Sequence, residues 1–318
     1  MASILLGTDN GVFRLDNNEP GLQQEVGIST ASFLATAEGK VFALTKENAL
    51  WVRTNQGNWQ LVNPQPVTEE VWSFAADPRD ANLLYIGVSP AMLYRSEDGG
   101  KSWTACESIK KIPGYEKWTF PPPPHIPHVR YIAPDPQVVS GVYIGVEEGG
   151  VYRSIDRGQT WESLNNGLYW DVHTVTPAAD NRRLYATTGG GFYRSDDGGK
   201  NWQNIMNGLD RRYTIPFLML KELPHRLYTG AAAIPPPGWA RGGANAAIYR
   251  SDDGGEHWEK LAGGLPGQFD TPVWAIALDQ AGGIYAATRH EIYASFDQGD
   301  HFSLIAKDLP MVRSLVCI

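Results

Sequence analysis

Apolar and polar positions alternate along this chain in short bursts separated by glycine, aspartate and asparagine, the period-two pattern of strands lying against a core. One burst recurs as Leu84-Tyr85-Ile86-Gly87, Val142-Tyr143-Ile144-Gly145, Leu184-Tyr185-Ala186, Leu227-Tyr228-Thr229-Gly230 and Ile284-Tyr285-Ala286. A second ends in Tyr-Arg, at Tyr94-Arg95, Tyr152-Arg153, Tyr193-Arg194 and Tyr249-Arg250. A turn follows it: Ser96/Asp98/Gly100/Trp103, Ser154/Asp156/Gly158/Trp161, Ser195/Asp197/Gly199/Trp202, Ser251/Asp253/Gly255/Trp258 and Ser295/Asp297/Gly299/Phe302. In such a turn a Ser or Asp oxygen accepts bonds from nearby backbone N–H groups, glycine supplies the positive φ, and the aromatic residue opens the next strand.

Each unit starts on a further strand: Val71-Trp72-Ser73-Phe74, Val129-Arg130-Tyr131-Ile132, Val172-His173-Thr174-Val175, Val273-Trp274-Ala275-Ile276 and Val312-Arg313-Ser314-Leu315, with looser versions at 213–217 and 28–33. Two degenerate units complete the series. Lys40-Val41-Phe42-Ala43 leads to Leu50-Trp51-Val52-Arg53 and Gly57-Asn58-Trp59, and Ser3–Gly7 leads to Gly11-Val12-Phe13-Arg14 and Asp16-Asn17-Asn18. Seven units in 318 residues is about 45 residues each, the spacing of propeller blades. The pattern predicts an all-β, seven-bladed β-propeller of four-stranded antiparallel blades, forming a single domain over residues 1–318. Its last blade is closed by strand 311–317 pairing with the N-terminal strand at 3–7, which removes an open sheet edge.

Composition fits that picture: 42% apolar residues, 34 glycines, 22 prolines and 11 tryptophans describe a turn-rich β core. No run approaches the roughly 20 apolar residues of a membrane span, and no basic-then-apolar leader opens the sequence. Cys106 and Cys317, in strands of different blades, make no disulfide framework, so a cytoplasmic location is expected. A net charge of −8 disfavours nucleic acid and anionic membranes as partners.

Two proline-rich insertions break the period, 107–127 with Trp118, Phe120, Pro121–Pro124 and His125, running directly into His128, and 231–246 with Pro235–Pro237, Trp239 and Arg241. Stiff loops with embedded aromatics suit the rim of a binding site, since they lose little entropy on ligation, or else cover apolar surface. Aligning the opening strands gives a constant valine column flanked by a variable one. The valines are expected to pack between blades, and the variable set, Glu70, Trp72, His128, Arg130, Asp171, His173, Trp274 and Arg313, to face a central channel.

Three chemistries are open to that set. His128 or His173 beside Asp171 or Glu70 have the makings of a catalytic base and acid. Arg130 and Arg313 can clamp an anionic group, with Trp72, Trp274, Trp170 or Trp239 stacking on a ring and Glu147 adding a carboxylate. His125, His128 and His173 carry ligand types for a divalent metal, which is the one cofactor the residues suggest.

The Ser-x-Asp-x-Gly-x-x-Trp turns, present in nearly every unit, resemble the Asp-box or BNR-repeat propeller superfamily. It includes sialidases, xyloglucan-cleaving glycosidases, sortilin-type receptor domains and photosystem II assembly propellers. The resemblance implies the fold, and it spans enzymes, receptors and assembly factors. Sialidases of this kind have six blades and an Arg-Ile-Pro stretch, which does not occur here. Three readings stay open: a binder of a polar, anionic or carbohydrate-like small ligand with glycan-directed hydrolase or lyase chemistry, a non-enzymatic scaffold for a protein partner, and a metal-dependent enzyme.

Overall fold

The computed structural model describes residues 3–16, 21–29, 31–54, 56–180, 182–220 and 222–318, with the backbone alone at 241. The degenerate turn read at Asp16-Asn17-Asn18 falls, past Asp16, outside them.

The fold is a β-propeller of seven four-stranded antiparallel sheets. In chain order the strands begin with β1 (Ser3–Thr8), β2 (Gly11–Asp16) and β3 (Leu22–Val26). The next sheet is β4 (Ala31–Ala37), β5 (Lys40–Thr45), β6 (Leu50–Arg53) and β7 (Trp59–Asn63). It is followed by β8 (Glu70–Asp77), β9 (Asp80–Ser89), β10 (Met92–Ser96) and β11 (Thr104–Ala105), then by β12 (Val129–Pro134), β13 (Val142–Val146), β14 (Gly150–Ser154) and β15 (Glu162–Ser163). The fifth comprises β16 (Val172–Pro177), β17 (Leu184–Thr188), β18 (Gly191–Ser195) and β19 (Gln203–Asn204), and the sixth β20 (Tyr213–Met219), β21 (Leu227–Ala232), β22 (Ala247–Ser251) and β23 (Glu259–Lys260). The seventh is β24 (Ala275–Leu278), β25 (Ile284–Ala287), β26 (Ile292–Ser295) and β27 (Ser303–Ala306), after which β28 (Val312–Cys317) pairs with β1 and completes the sheet that opened the chain. No α-helix occurs among the described residues.

The residues gather into two compact units, one of 1–32, 189–192 and 205–318, the other of 33–188 and 193–204. In the first unit, one core joins Tyr228, Ile248, Val273 and Phe302, and another joins Ile4, Leu6, Tyr285 and Leu315. In the second, Phe42, Tyr85, Val129 and Ile144 share a core, beside a smaller one around Tyr143, Val172 and Trp202.

All five turns of the repeated motif are stapled alike. The serine hydroxyl donates to the aspartate, as from Ser154 Oγ to Asp156 Oδ1 at 2.8 Å, and accepts the glycine N–H, as from Gly158 at 2.7 Å. The aspartate then accepts a backbone N–H four residues on. These carboxylates are spent on their own turns. Asp98 is held down to about 2, chiefly by the hydroxyl and N–H of Ser102. The aromatic residue then ties sheet to sheet: Trp202 Nε1 donates to Leu164 O at 2.7 Å within the second unit, and Trp258 Nε1 to Ile205 O at 3.0 Å within the first.

The valine column packs between sheets, and the glycine ending the Tyr-x-Gly strand explains how. A Cβ on Gly87 would lie 2.8 Å from Val129 Cβ, one on Gly145 3.0 Å from Val172 Cγ1, and one on Gly230 2.9 Å from Val273 Cβ. The bare backbone is the socket for the next sheet's valine.

In four of these opening strands the residue after the valine sits on a β-bulge. Register shifts fall between Val71 and Ser73, between Val129 and Tyr131, and between Val172 and Thr174, and in β28 Gly7 pairs Ser314 while Thr8 pairs Val312. Trp72, Arg130, His173 and Arg313 are therefore the extra residues of these ladders, and a bulge re-aims its side chain.

Both insertions fold onto their own units. In the first, Ile109, Ile112 and Trp118 enter the core and Trp118 Nε1 donates to Tyr152 OH at 2.9 Å, while 121–126 stay exposed. In the second, Trp239 is buried with its Nε1 donating to Ile234 O at 2.7 Å. Cys106 falls one residue beyond β11 instead of within a strand, and both cysteines are free thiols. Burial pushes Cys106 up to about 11, so it is an inert core group.

Candidate functional site

The second unit brings seven of the nominated residues into one neighbourhood. The β13–β14 turn carries Glu147, and its Gly149 and Gly150 N–H groups both donate to Trp170 O, at 3.1 and 3.2 Å. Those two bonds hold the approach to β16, with Asp171 and His173, against Glu147.

Glu147 is the hub. Its Oε2 accepts His128 Nε2–H at 2.9 Å and lies 3.2 Å from Arg130 Nε, while no partner among the described residues falls on Oε1. Burial pushes this carboxyl up, but the His128 bond and the Arg130 charge outweigh it and hold the group below its ordinary value. His128 itself is driven down, first by burial and against the pull of Glu147. The consistent state is a neutral imidazole donating to a carboxylate.

His128 is fully buried, its ring stacked on Trp72 at 3.6 Å between centroids, with Phe120 edge-on to both. It acts on the site only through Glu147. Asp171 Oδ1 lies 3.4 Å from His173 Nε2, and it is buried without accepting a hydrogen bond. Glu147, Asp171 and His173 each offer one ligand atom to a group lying within 4.8 Å of one another. Trp170, the neighbour of Asp171 in sequence, is 50% exposed.

The other nominated residues lie differently. Glu70 is exposed at the start of β8. His125 is exposed on its loop, with Nδ1 2.8 Å from Phe120 O. Of the three histidines nominated for a metal, His173 alone enters the ligand group, and Glu147 and Asp171 supply its other members. In the first unit Arg313 is engaged by Asp9, Nε to Oδ1 at 2.6 Å and Nη2 to Oδ2 at 3.3 Å. Trp274 and the buried Trp239 meet edge to face at 5.5 Å, so Trp239 is a core residue of its insertion.

Sequence reasoning passed over a cleft of about 400 Å³ in the first unit, lined among others by Asp270, Thr288, His290, Glu291 and Lys307. His290 Nδ1 there is bound to Leu309 O, and Glu291 accepts Tyr293 OH. No repeat column runs through these positions, so no local signal marked them.

The BNR/Asp-box repeat model matches residues 193–204, one of the stapled turns. Five of the seven sheets carry such a turn, so the fold is a seven-sheeted β-propeller bearing repeats of the BNR/Asp-box type. Among solved structures it is similar to a GH74 enzyme of Niastella koreensis, with 15% identity, a TM-score of 0.72, and coverage of 96% of this chain and 52% of that one. It is also similar to the GH74 xyloglucanase of Xanthomonas campestris, with 15% identity, a TM-score of 0.70 and coverage of 96% and 52%. A third likeness is to YCF48 bound to D1 peptide, with 15% identity, a TM-score of 0.58 and coverage of 98% and 86%. The chain thus spans about half the length of these two GH74 enzymes. No curated protein matches the sequence. No helix among the described residues is long and apolar enough to cross a membrane.

Proposed function

We propose that this chain is a binding propeller for a hydroxyl-rich, carbohydrate-like ligand, taken at the cluster around Glu147. The carrying observation is a carboxylate held at one oxygen by the His128 hydrogen bond, with the Arg130 charge beside that oxygen and no partner among the described residues at the other, grouped with Asp171, whose neighbour in sequence Trp170 is half exposed. Sugars are recognised by an aromatic face together with fixed carboxylates that accept from hydroxyl groups. An anionic ligand fits less well. Arg130 already faces Glu147, Arg313 faces Asp9, and Asp171 adds further negative charge.

Calorimetric titration with neutral xyloglucan and β-glucan oligosaccharides tests the reading. Trp170→Ala and Arg130→Ala should each weaken binding about tenfold, equivalent to about 1.4 kcal/mol. Binding that survives both substitutions, or none by wild type at millimolar sugar, would refute it. Reducing-end release in the same samples reports whether bond cleavage follows binding.

A protein-binding reading is favoured by one observation. The chain covers 86% of YCF48, whose structure is bound to D1 peptide, and exposed prolines 121–124 follow Phe120, whose ring packs edge-on to Trp72. Peptide-array binding abolished by Phe120→Ala and indifferent to Trp170→Ala would select it.

A further inference from the structure

We propose that Glu147, Asp171 and His173 form a binding site for one divalent transition-metal ion of the zinc type. The inference is independent of the sugar reading, because it rests on the ligand geometry alone.

The donor set is one imidazole nitrogen and two carboxylate oxygens, a mixture suited to zinc and its neighbours and unlike the all-oxygen cages of calcium. The 3.4 Å between His173 Nε2 and Asp171 Oδ1 is long for a hydrogen bond. It equals the edge between two ligands of a tetrahedral ion with bonds of about 2.1 Å. The Asp171 oxygen that faces His173 is buried and accepts no hydrogen bond, a costly state for a carboxylate that a cation would relieve.

Glu147 is oriented as a metal carboxylate should be. His128 donates to its Oε2 and Arg130 Nε lies 3.2 Å from the same oxygen, which anchors that end of the group and leaves Oε1 for a ligand bond. Two carboxylates against the single guanidinium of Arg130 leave net negative charge, which one divalent cation would offset. The supports are rigid, since His173 is the bulged residue of β16 and Glu147 is tied to the approach to β16 through the two bonds to Trp170 O. Three protein ligands leave a fourth position for water or a ligand oxygen.

The test uses the full chain, stripped with chelator and desalted, with zinc alone as the titrant. Elemental analysis after gel filtration should return one zinc per chain, and calorimetry a single site. Cobalt(II) at the same site should give visible d–d absorption that zinc displaces. Asp171→Asn and His173→Gln should each weaken zinc binding about tenfold or more, and His125→Ala, outside the ligand group, should leave it unchanged. Zinc should raise the melting temperature of wild type and not of His173→Gln. Substoichiometric zinc in the wild-type protein overturns the proposal whatever the variants do, as does loss of the site on His125→Ala with retention on His173→Gln. Neither result bears on the sugar titration, which contains no added metal.

Discussion

Replacing the serine of a stapled turn by alanine gives the sharpest test of how these turns work. In Ser154→Ala the Gly158 N–H, in a buried pair with Ser154 Oγ, loses its acceptor, and Asp156 Oδ1 loses a donor at 2.8 Å. An orphaned buried donor costs about 1–3 kcal/mol, and a hydrogen bond to a carboxylate adds about 1, discounted because Asp156 also faces solvent. A net loss of about 2–3 kcal/mol follows. At about 2 °C per kcal/mol for a chain of this size, the melting temperature should fall by about 4–6 °C. The repeat supplies internal replicates, since Ser96, Ser195, Ser251 and Ser295 make the same two bonds at 2.7–2.8 Å. Calorimetric melting of all five variants should give losses within about 1 kcal/mol of one another, with zinc and sugar titrations unchanged. Losses below about 0.5 kcal/mol together with failed ligand binding would refute the stapling argument and return these aspartates to the list of functional groups.

Gly87→Ala should destabilise by about 2–4 kcal/mol in urea, because the new methyl collides with Ser73 Oγ and lies 2.8 Å from Val129 Cβ, while Gly145→Ala, 3.0 Å from one valine methyl, should cost about 1. Equal costs would break the socket account. The folded-state value of Asp98 is depressed to about 2, so its contribution is complete above the unfolded value near 4 and is lost as pH falls from about 4 towards 2. Asp98→Asn should therefore flatten the stability curve measured by urea unfolding across that window and leave its shape above pH 5 unchanged. Arg313→Ala removes a surface pair with Asp9 and should shift stability by no more than about 1 kcal/mol, less in high salt; a larger loss would mean that this pair does more than a solvated ion pair can.

The sheets were legible because their signals are local and repeated. Tyr-x-Gly strands, Tyr-Arg strands and Ser-x-Asp turns each carry their own periodicity, and the pairing of 311–317 with the first strand followed from counting units. Three of the constant valines, Val129, Val172 and Val273, proved to be inter-sheet residues for a reason readable beforehand, namely that each faces the Tyr-x-Gly glycine of the preceding sheet. Burial was harder to read. His128 and Trp239 look like rim residues in a proline-rich loop, yet Trp72 covers one and Tyr213 and Trp274 flank the other, contacts made across many residues of chain. The grouping of Glu147 with Asp171 and His173 depends on two backbone bonds to Trp170 O, and backbone bonds carry no side-chain signature. The strand pattern placed Val273 and Trp274 in a strand that begins only at Ala275, since the N–H of Trp274 bonds singly to Ala287 O ahead of the regular ladder.

The bulge that follows the valine in several opening strands separates two demands that usually compete. Its residue takes no part in the ladder register and fills no socket, so tryptophan, arginine and histidine can occupy equivalent positions while the neighbouring valine keeps the sheets together. Randomising only 72, 130, 173 and 313 would therefore give a combinatorial library whose members share one scaffold and differ in chemistry, a natural starting point for retargeting the molecule.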